Sequence, residues 1–189
     1  MSTWNSPPAT ATRAPCSPRS GRAASRRLSW TAPSPAHVGQ QHPHVPTGLP
    51  LPTVLQAVRQ EFPTATVGWE QGCPMPRHGD RPPADRDDTE RREADRALDA
   101  AKALAADSDL CVVVVGDKAG LFGRGTSGEG CDAPDLSLPG DQAALVDAAL
   151  DTATPVVLVV TSGRPYALGR WADRLSAVVQ AFFLTARRR

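Results

Sequence analysis

Ionisable and nucleophilic side chains crowd one glycine-rich stretch of the chain. Asp117, Lys118, Arg124, Ser127, Glu129, Asp132 and Asp135 all fall between Gly116 and Gly140. A segment of roughly 25 residues without a regular element is long for a compact domain, and such segments commonly carry function. A carboxyl group on a loop of this kind can be brought up to a reacting bond and partly stripped of water. That raises its pKa and suits it to general acid/base work. Glu129, between Gly128 and Gly130, is one carboxyl on this loop, and from the residues alone a solvated loop glutamate is its plainer reading. Asp117, Arg124, Asp132 and Arg164 are the companions considered for substrate binding or for ordering the loop.

One other chemistry is suggested and then set aside. Gly123-Arg124-Gly125-Thr126-Ser127-Gly128 fits the G-x-G-x-x-G dinucleotide pattern. That pattern works only where the glycines join a strand directly to a helix whose N-terminus meets the pyrophosphate. Here Gly116 to Phe122 intervene after Val115, and Cys131-Asp132-Ala133-Pro134 follows instead of a helix. No G-K-[ST] phosphate loop is present either. A nucleotide-binding α/β protein is thus the weakest of three readings, and neither a cofactor nor a metal ion is expected.

The elements that must position this loop can be read from hydrophobic period and from breakers. Val54, Leu55, Val58 and Phe62 recur at helical spacing over Thr53 to Phe62, and Pro63 ends that helix. Ala65 to Trp69 is a short strand. A helix from about Glu90 to Ala106 can be capped by Asp87, Asp88 or Thr89, and presents a narrow face of Ala94, Ala97, Leu98, Ala101, Leu104 and Ala105. Leu110 to Val115 is a continuous apolar run, as in a strand buried on both faces. A helix over Asp141 to Asp151 turns Ala144, Leu145, Ala148 and Ala149 inward. Pro155 to Val160 and Ser176 to Phe183 are two further buried strands, and a short helical piece lies around Tyr166 to Asp173. This order predicts an α/β fold, a mainly parallel sheet sandwiched by helices, incomplete as it stands. In such sheets ligands gather at the carboxyl ends of the strands, where the glycine-rich loop begins.

Upstream the composition changes. Residues 1–34 are rich in Pro, Ser, Ala and Arg, and no acidic residue precedes Glu61. The arginines show neither aromatic interleaving nor period, so a disordered tail is expected there rather than a nucleic-acid arm. Residues 35–52 read as an ordered loop at best, shaped in part by His37 and His42. The four cysteines form no C-x-x-C pair; Cys111 suits a core, and a disulfide between Cys73 and Cys131 is open but unsupported. No run approaches the ~20 apolar residues of a membrane span. Without an apolar signal region, the default compartment is the cytoplasm.

Three ordered motifs then carry a resemblance. Gly116-Asp117 with Ser127-Gly128-Glu129-Gly130-Cys131-Asp132, next Leu136-Ser137-Leu138-Pro139-Gly140-Asp141-Gln142, and last Pro155 to Val160 with Ser162-Gly163-Arg164-Pro165 together resemble glycoside hydrolase family 3. That family shows EG-x-D-R, L-x-LPG-x-Q and PVV-x-V-x-x-GRP in this order. The resemblance covers residues 35–183, as a partial C-terminal domain, with 184–189 a basic tail outside it. It implies a retaining exo-acting β-glucosidase or β-xylosidase lineage, in which a separate barrel supplies an aspartate nucleophile. By it Glu129 is the acid/base, Asp132 orders the loop, and Arg164 holds the turn after a strand. Ala133 stands where the family has arginine.

Two departures shape the expectation of function. Nothing here corresponds to the barrel, and Leu184-Thr185-Ala186 with three arginines stands in place of a PG-x-EGG turn and helix. The family's first strand also looks replaced by the Pro/Ser/Arg segment. Both ends are therefore expected to be out-of-frame or mis-assigned translation, and the chain to be marginally stable and inactive alone. Its substrate would be a β-linked glycoside once a barrel completes it. The alternative is a non-catalytic carbohydrate-binding or partner domain that complements a separate barrel. No nucleic-acid or membrane partner is expected.

Overall fold

The computed structural model describes residues 27–31, 53–74, 83–118, 125–128 and 130–182. Five strands form one wholly parallel sheet: β1 (Arg27–Thr31), β2 (Thr66–Glu70), β3 (Leu110–Gly116), β4 (Val156–Thr161) and β5 (Ala177–Ala181). Their order across the sheet is β2-β1-β3-β4-β5. The α/β class and parallel sheet expected from the sequence are what the chain forms.

Helix α1 (Val54–Glu61) joins β1 to β2, α2 (Asp88–Ala106) joins β2 to β3, and α3 (Gln142–Leu150) joins β3 to β4. The chain reverses its direction across the sheet after β2. With crossovers of constant hand, α1 falls on one face and α2 and α3 on the other. The two buried clusters follow this division. Ala101, Ala105, Leu145, Val146 and Ala149 pack on Cys111, Val113, Val115, Leu158 and Val160, while Leu55 packs with Val114 beside the partly buried Val112 and Val159. Alternate β3 side chains thus enter opposite cores, which is why its sequence is apolar without interruption.

Local chemistry sets the helix ends. Thr53 and Gln56 form a reciprocal capping box on α1, and Asp87 and Glu90 form one on α2. Of the three capping candidates for α2, Asp87 takes the role, its carboxylate accepting from the Thr89 and Glu90 N–H groups.

Three expectations are corrected. First, residues 1–34 are not without structure throughout, because β1 lies inside the sheet with a strand on either side. Arg27-Leu28-Ser29-Trp30-Thr31 lacks proline, and pairing on both edges supplies what its surroundings do not suggest. Arg27, read as a solvated charge, exchanges two backbone-directed bonds with Asp109 (2.7 and 2.8 Å), and its guanidinium pairs with Asp107. Second, β5 is an edge strand rather than a buried one, with Val178 and Val179 45% and 49% exposed. Third, α3 buries Leu145, Val146, Ala149 and Leu150, whereas Ala144 is exposed. The helix is apolar nearly all round, so its phase was ambiguous, and the larger side chains win the core.

Candidate functional site

The carboxyl ends of β3 and β4 lie side by side, Gly116 paired with Thr161. Gly116 has φ of 141°, and a Cβ there would stand 1.9 Å from the Thr161 carbonyl oxygen. Only glycine fits such a close approach at this φ.

Asp117 follows, 6% exposed, and its carboxylate is a hub. It accepts from the Tyr166 hydroxyl and from the Gly163 N–H (3.2 Å), with Thr126 Oγ1 at 3.5 Å and Arg164 Nε at 3.8 Å. A buried carboxylate needs this many partners to offset its lost hydration.

Above Asp117 the loop is tied at a neck. The Thr126 N–H donates to the Lys118 carbonyl (2.7 Å) and the Lys118 N–H donates to Thr126 Oγ1 (2.8 Å). Gly128 and Gly130 both have positive φ, 122° and 73°, and the Cys131 N–H donates back to the Gly128 carbonyl. The returning limb is held at Asp135, whose carboxylate accepts from the Ser137 N–H; that bond keeps its carboxyl below the usual range. The Leu136 carbonyl accepts from the Ala167 N–H (2.8 Å), and Leu138 is buried.

The turn after β4 completes the base. Ser162 accepts from Gln180 of β5 (2.8 Å) and donates to the Arg164 carbonyl (2.6 Å). Arg164 donates to the Asp135 carbonyl (3.1 Å) and lies over the Tyr166 ring, 4.7 Å from its centroid. Burial, and donation to Asp117, push the Tyr166 hydroxyl above its ordinary range. At the start of α3, Gln142 is fully buried and bonds both backbone groups of Gly116. Beside it Asp141 pairs with Arg86 at 2.5 Å, both largely buried. Cys73, close by, has its thiol pushed up to about 12, first by burial and then by the Asp141 charge. A cleft of about 370 Å³ opens over Gln71, Arg86, Glu90 and Glu93, at the carboxyl end of β2 and the start of α2.

Of the residues singled out in the sequence, Asp117 and Arg164 are brought together. Glu129 and Arg124 lie outside the described residues, as do His37 and His42. Asp132 is exposed, and Asp135 makes an Asx-type bond with the Ser137 N–H. Cys73 and Cys131 are not joined to each other. Trp69 packs with the α1-side core. Tyr166, an isolated aromatic near a strand end that reads as core, is buried and also serves the Asp117 hub; sequence reasoning gave no role to Gln142 or Thr126. The one available signal was an amide opening an otherwise apolar helix. Among the described residues no group of three or more His, Cys, Asp or Glu side chains converges on a metal position, and no helix is long and apolar enough to cross a membrane.

Comparison with known proteins places this arrangement in a family. Residues 20–188 match the glycosyl hydrolase family 3 C-terminal domain. A β-xylosidase of Formosa agariphila is 36% identical over 87 residues, 46% of this chain and 11% of that protein. A probable β-glucosidase J of Neosartorya fischeri is 38% identical over 91 residues, 48% of this chain and 10% of its own length. In three dimensions a β-glucosidase of Erythrobacter marinus superposes with a TM-score of 0.61 at 25% identity, covering 85% of this chain and 22% of that one. The chain thus spans about a tenth of the length of the curated relatives it matches. With the family model covering nearly all of its length and its strands, loop and turns in this order, the chain belongs to the glycosyl hydrolase family 3 C-terminal domain family.

Proposed function

We propose that this domain carries the acid/base loop of a retaining β-glycosidase, and that Glu129 first donates and then accepts the proton. The nucleophile comes from a barrel outside these 189 residues. The rooted loop carries this reading: the Lys118–Thr126 neck stands on the buried Asp117 hub, and glycines of positive φ sit on both sides of position 129. Retention needs two carboxyl groups about 5–5.5 Å apart, one attacking carbon and one protonating the leaving oxygen. A glutamate on a loop anchored at its base suits the second role. Asp117 and Arg164 act on the loop and not on the sugar, since their hydrogen-bonding capacity is directed to Tyr166, Gly163 and Asp135. The substrate class is a β-linked glucoside or xyloside, as in the names of the matched relatives.

The test is turnover of aryl β-glucoside and β-xyloside by the purified chain, alone and mixed with a family 3 barrel domain, beside Glu129→Gln. The expected result is no turnover alone and turnover on mixing that the substitution abolishes. Turnover by the chain alone would remove the need for a second domain, and turnover on mixing that survives Glu129→Gln would remove Glu129 from the acid/base role.

A further inference from the structure

The cradle of Gly116 has an unusual builder. Backbone groups along a parallel strand face its two neighbours alternately. The Cys111 and Asp117 N–H groups donate toward β4, to the Pro155 and Thr161 carbonyls, so those of Gly116 face the β1 side. The β1–β3 register, however, ends at Thr31 opposite Val113. At Gly116 the Gln142 side chain supplies the pairing instead: its Oε1 accepts from the Gly116 N–H (2.6 Å) and its Nε2 donates to the Gly116 carbonyl (2.9 Å). The amide is 0% exposed, and its two bonds reproduce those a neighbouring strand would make.

We infer that Gln142 is a positioning residue for the acid/base loop, its side chain pairing with Gly116 as a neighbouring strand would, beyond the described β1–β3 register. Thr161 closes against Gly116 on one side, leaving no room for a Cβ, and the Gln142 amide fixes the other. The loop leaves the sheet at this residue, and the next one, Asp117, holds the neck. The same side chain opens α3, where Leu145 and Val146 are fully buried, so the loop root is tied to the best-packed helix. The functional meaning rests on the Glu129 reading above; the clamp itself does not.

Hydrogen exchange of the full chain, read by mass spectrometry over residues 116–127, tests this. Gln142→Met keeps the volume and removes both bonds. It should raise exchange at Gly116, Asp117, Thr126 and Ser127 at least about tenfold relative to wild type, with α2 unchanged. Gln142→Glu is the sharper variant. A protonated carboxyl accepts and donates as the amide does, and burial raises its pKa. Its ratio to wild type at equal pH should therefore be near one at about pH 5 and climb toward the Met value by about pH 8. No rise in the Met variant, a Glu ratio already at a raised Met value at about pH 5, or a rise shared evenly by α2 and the loop root overturns the inference and leaves Gln142 as core packing. Where the Met variant does not fold, the Glu variant at low pH still decides. Loss of the Glu129 reading in the turnover assay leaves these exchange results unmoved, so the two failures are distinct.

Discussion

The two faces of the sheet are built unequally. On the α2/α3 face a continuous cluster runs from Cys73 and Ala101 through Leu145 and Leu158 to Trp171 and Leu175. On the α1 face, among the described residues, Leu55 and Val114 form a smaller buried cluster, with Val54, Val58, Val67, Trp69, Val112 and Val159 half-covered around them. The loop root draws its support from the first face. Gln142 belongs to α3, and Tyr166 packs in the same cluster as Leu158. The lesson is that the loop root is held by the larger of the two described clusters.

The sharpest way to break that contrast is a pair of truncations at adjacent positions of β4. Leu158→Ala, on the thick face at 0% exposure, should cost about 2–5 kcal/mol in urea unfolding. Val159→Ala, on the thin face, should cost under about 1 kcal/mol. Equal losses would mean that the faces contribute alike.

A middle-sized effect concerns Tyr166, the sole tyrosine of the chain, so phenolate absorbance reports it alone. Its folded pKa lies above the unfolded value of about 10, first through burial and then through its bond to Asp117. The stability it contributes is fully present below about pH 10 and is lost as pH rises through the folded pKa. Phenolate should therefore appear only well above pH 10, together with loss of structure, and Asp117→Asn should bring its onset down. An ordinary titration in the folded wild type would contradict a sealed hub.

The smallest effect compares caps. Thr53→Ala and Asp87→Ala each remove a capping box worth about 0.5–2 kcal/mol. Exchange should show Thr53→Ala fraying α1 locally, while Asp87→Ala lowers the urea midpoint of the whole domain, because α1 is secured by few buried contacts. A midpoint shift as large for Thr53→Ala would erase the distinction.

Much of this was legible in the sequence because β3 and β4 are unbroken apolar runs and α2 carries a cap at the right spacing. β1 escaped because its five residues lie among prolines and arginines, and its stability comes from two neighbours far along the chain. β5 reads like β4, since composition cannot tell a strand with neighbours on both sides from one at an edge; Val178 and Val179 differ from Val157 only in what covers them. The LPG-x-Q motif was visible, yet the role of Gln142 is a matter of two distances to a residue 26 positions away. Asp117 was chosen for its charge; its inward orientation appears only when Tyr166 and Gly163 are brought over it.

The neck between Lys118 and Thr126 has a consequence for variation. Residues added between those two positions would lengthen the segment they enclose without touching Gly116, Asp117 or the turn after β4. Closing a loop twice as long costs only about 0.6 kcal/mol more. A domain with this stem can therefore accept insertions of many lengths there at little cost in stability, while the carboxylate hub below stays the same.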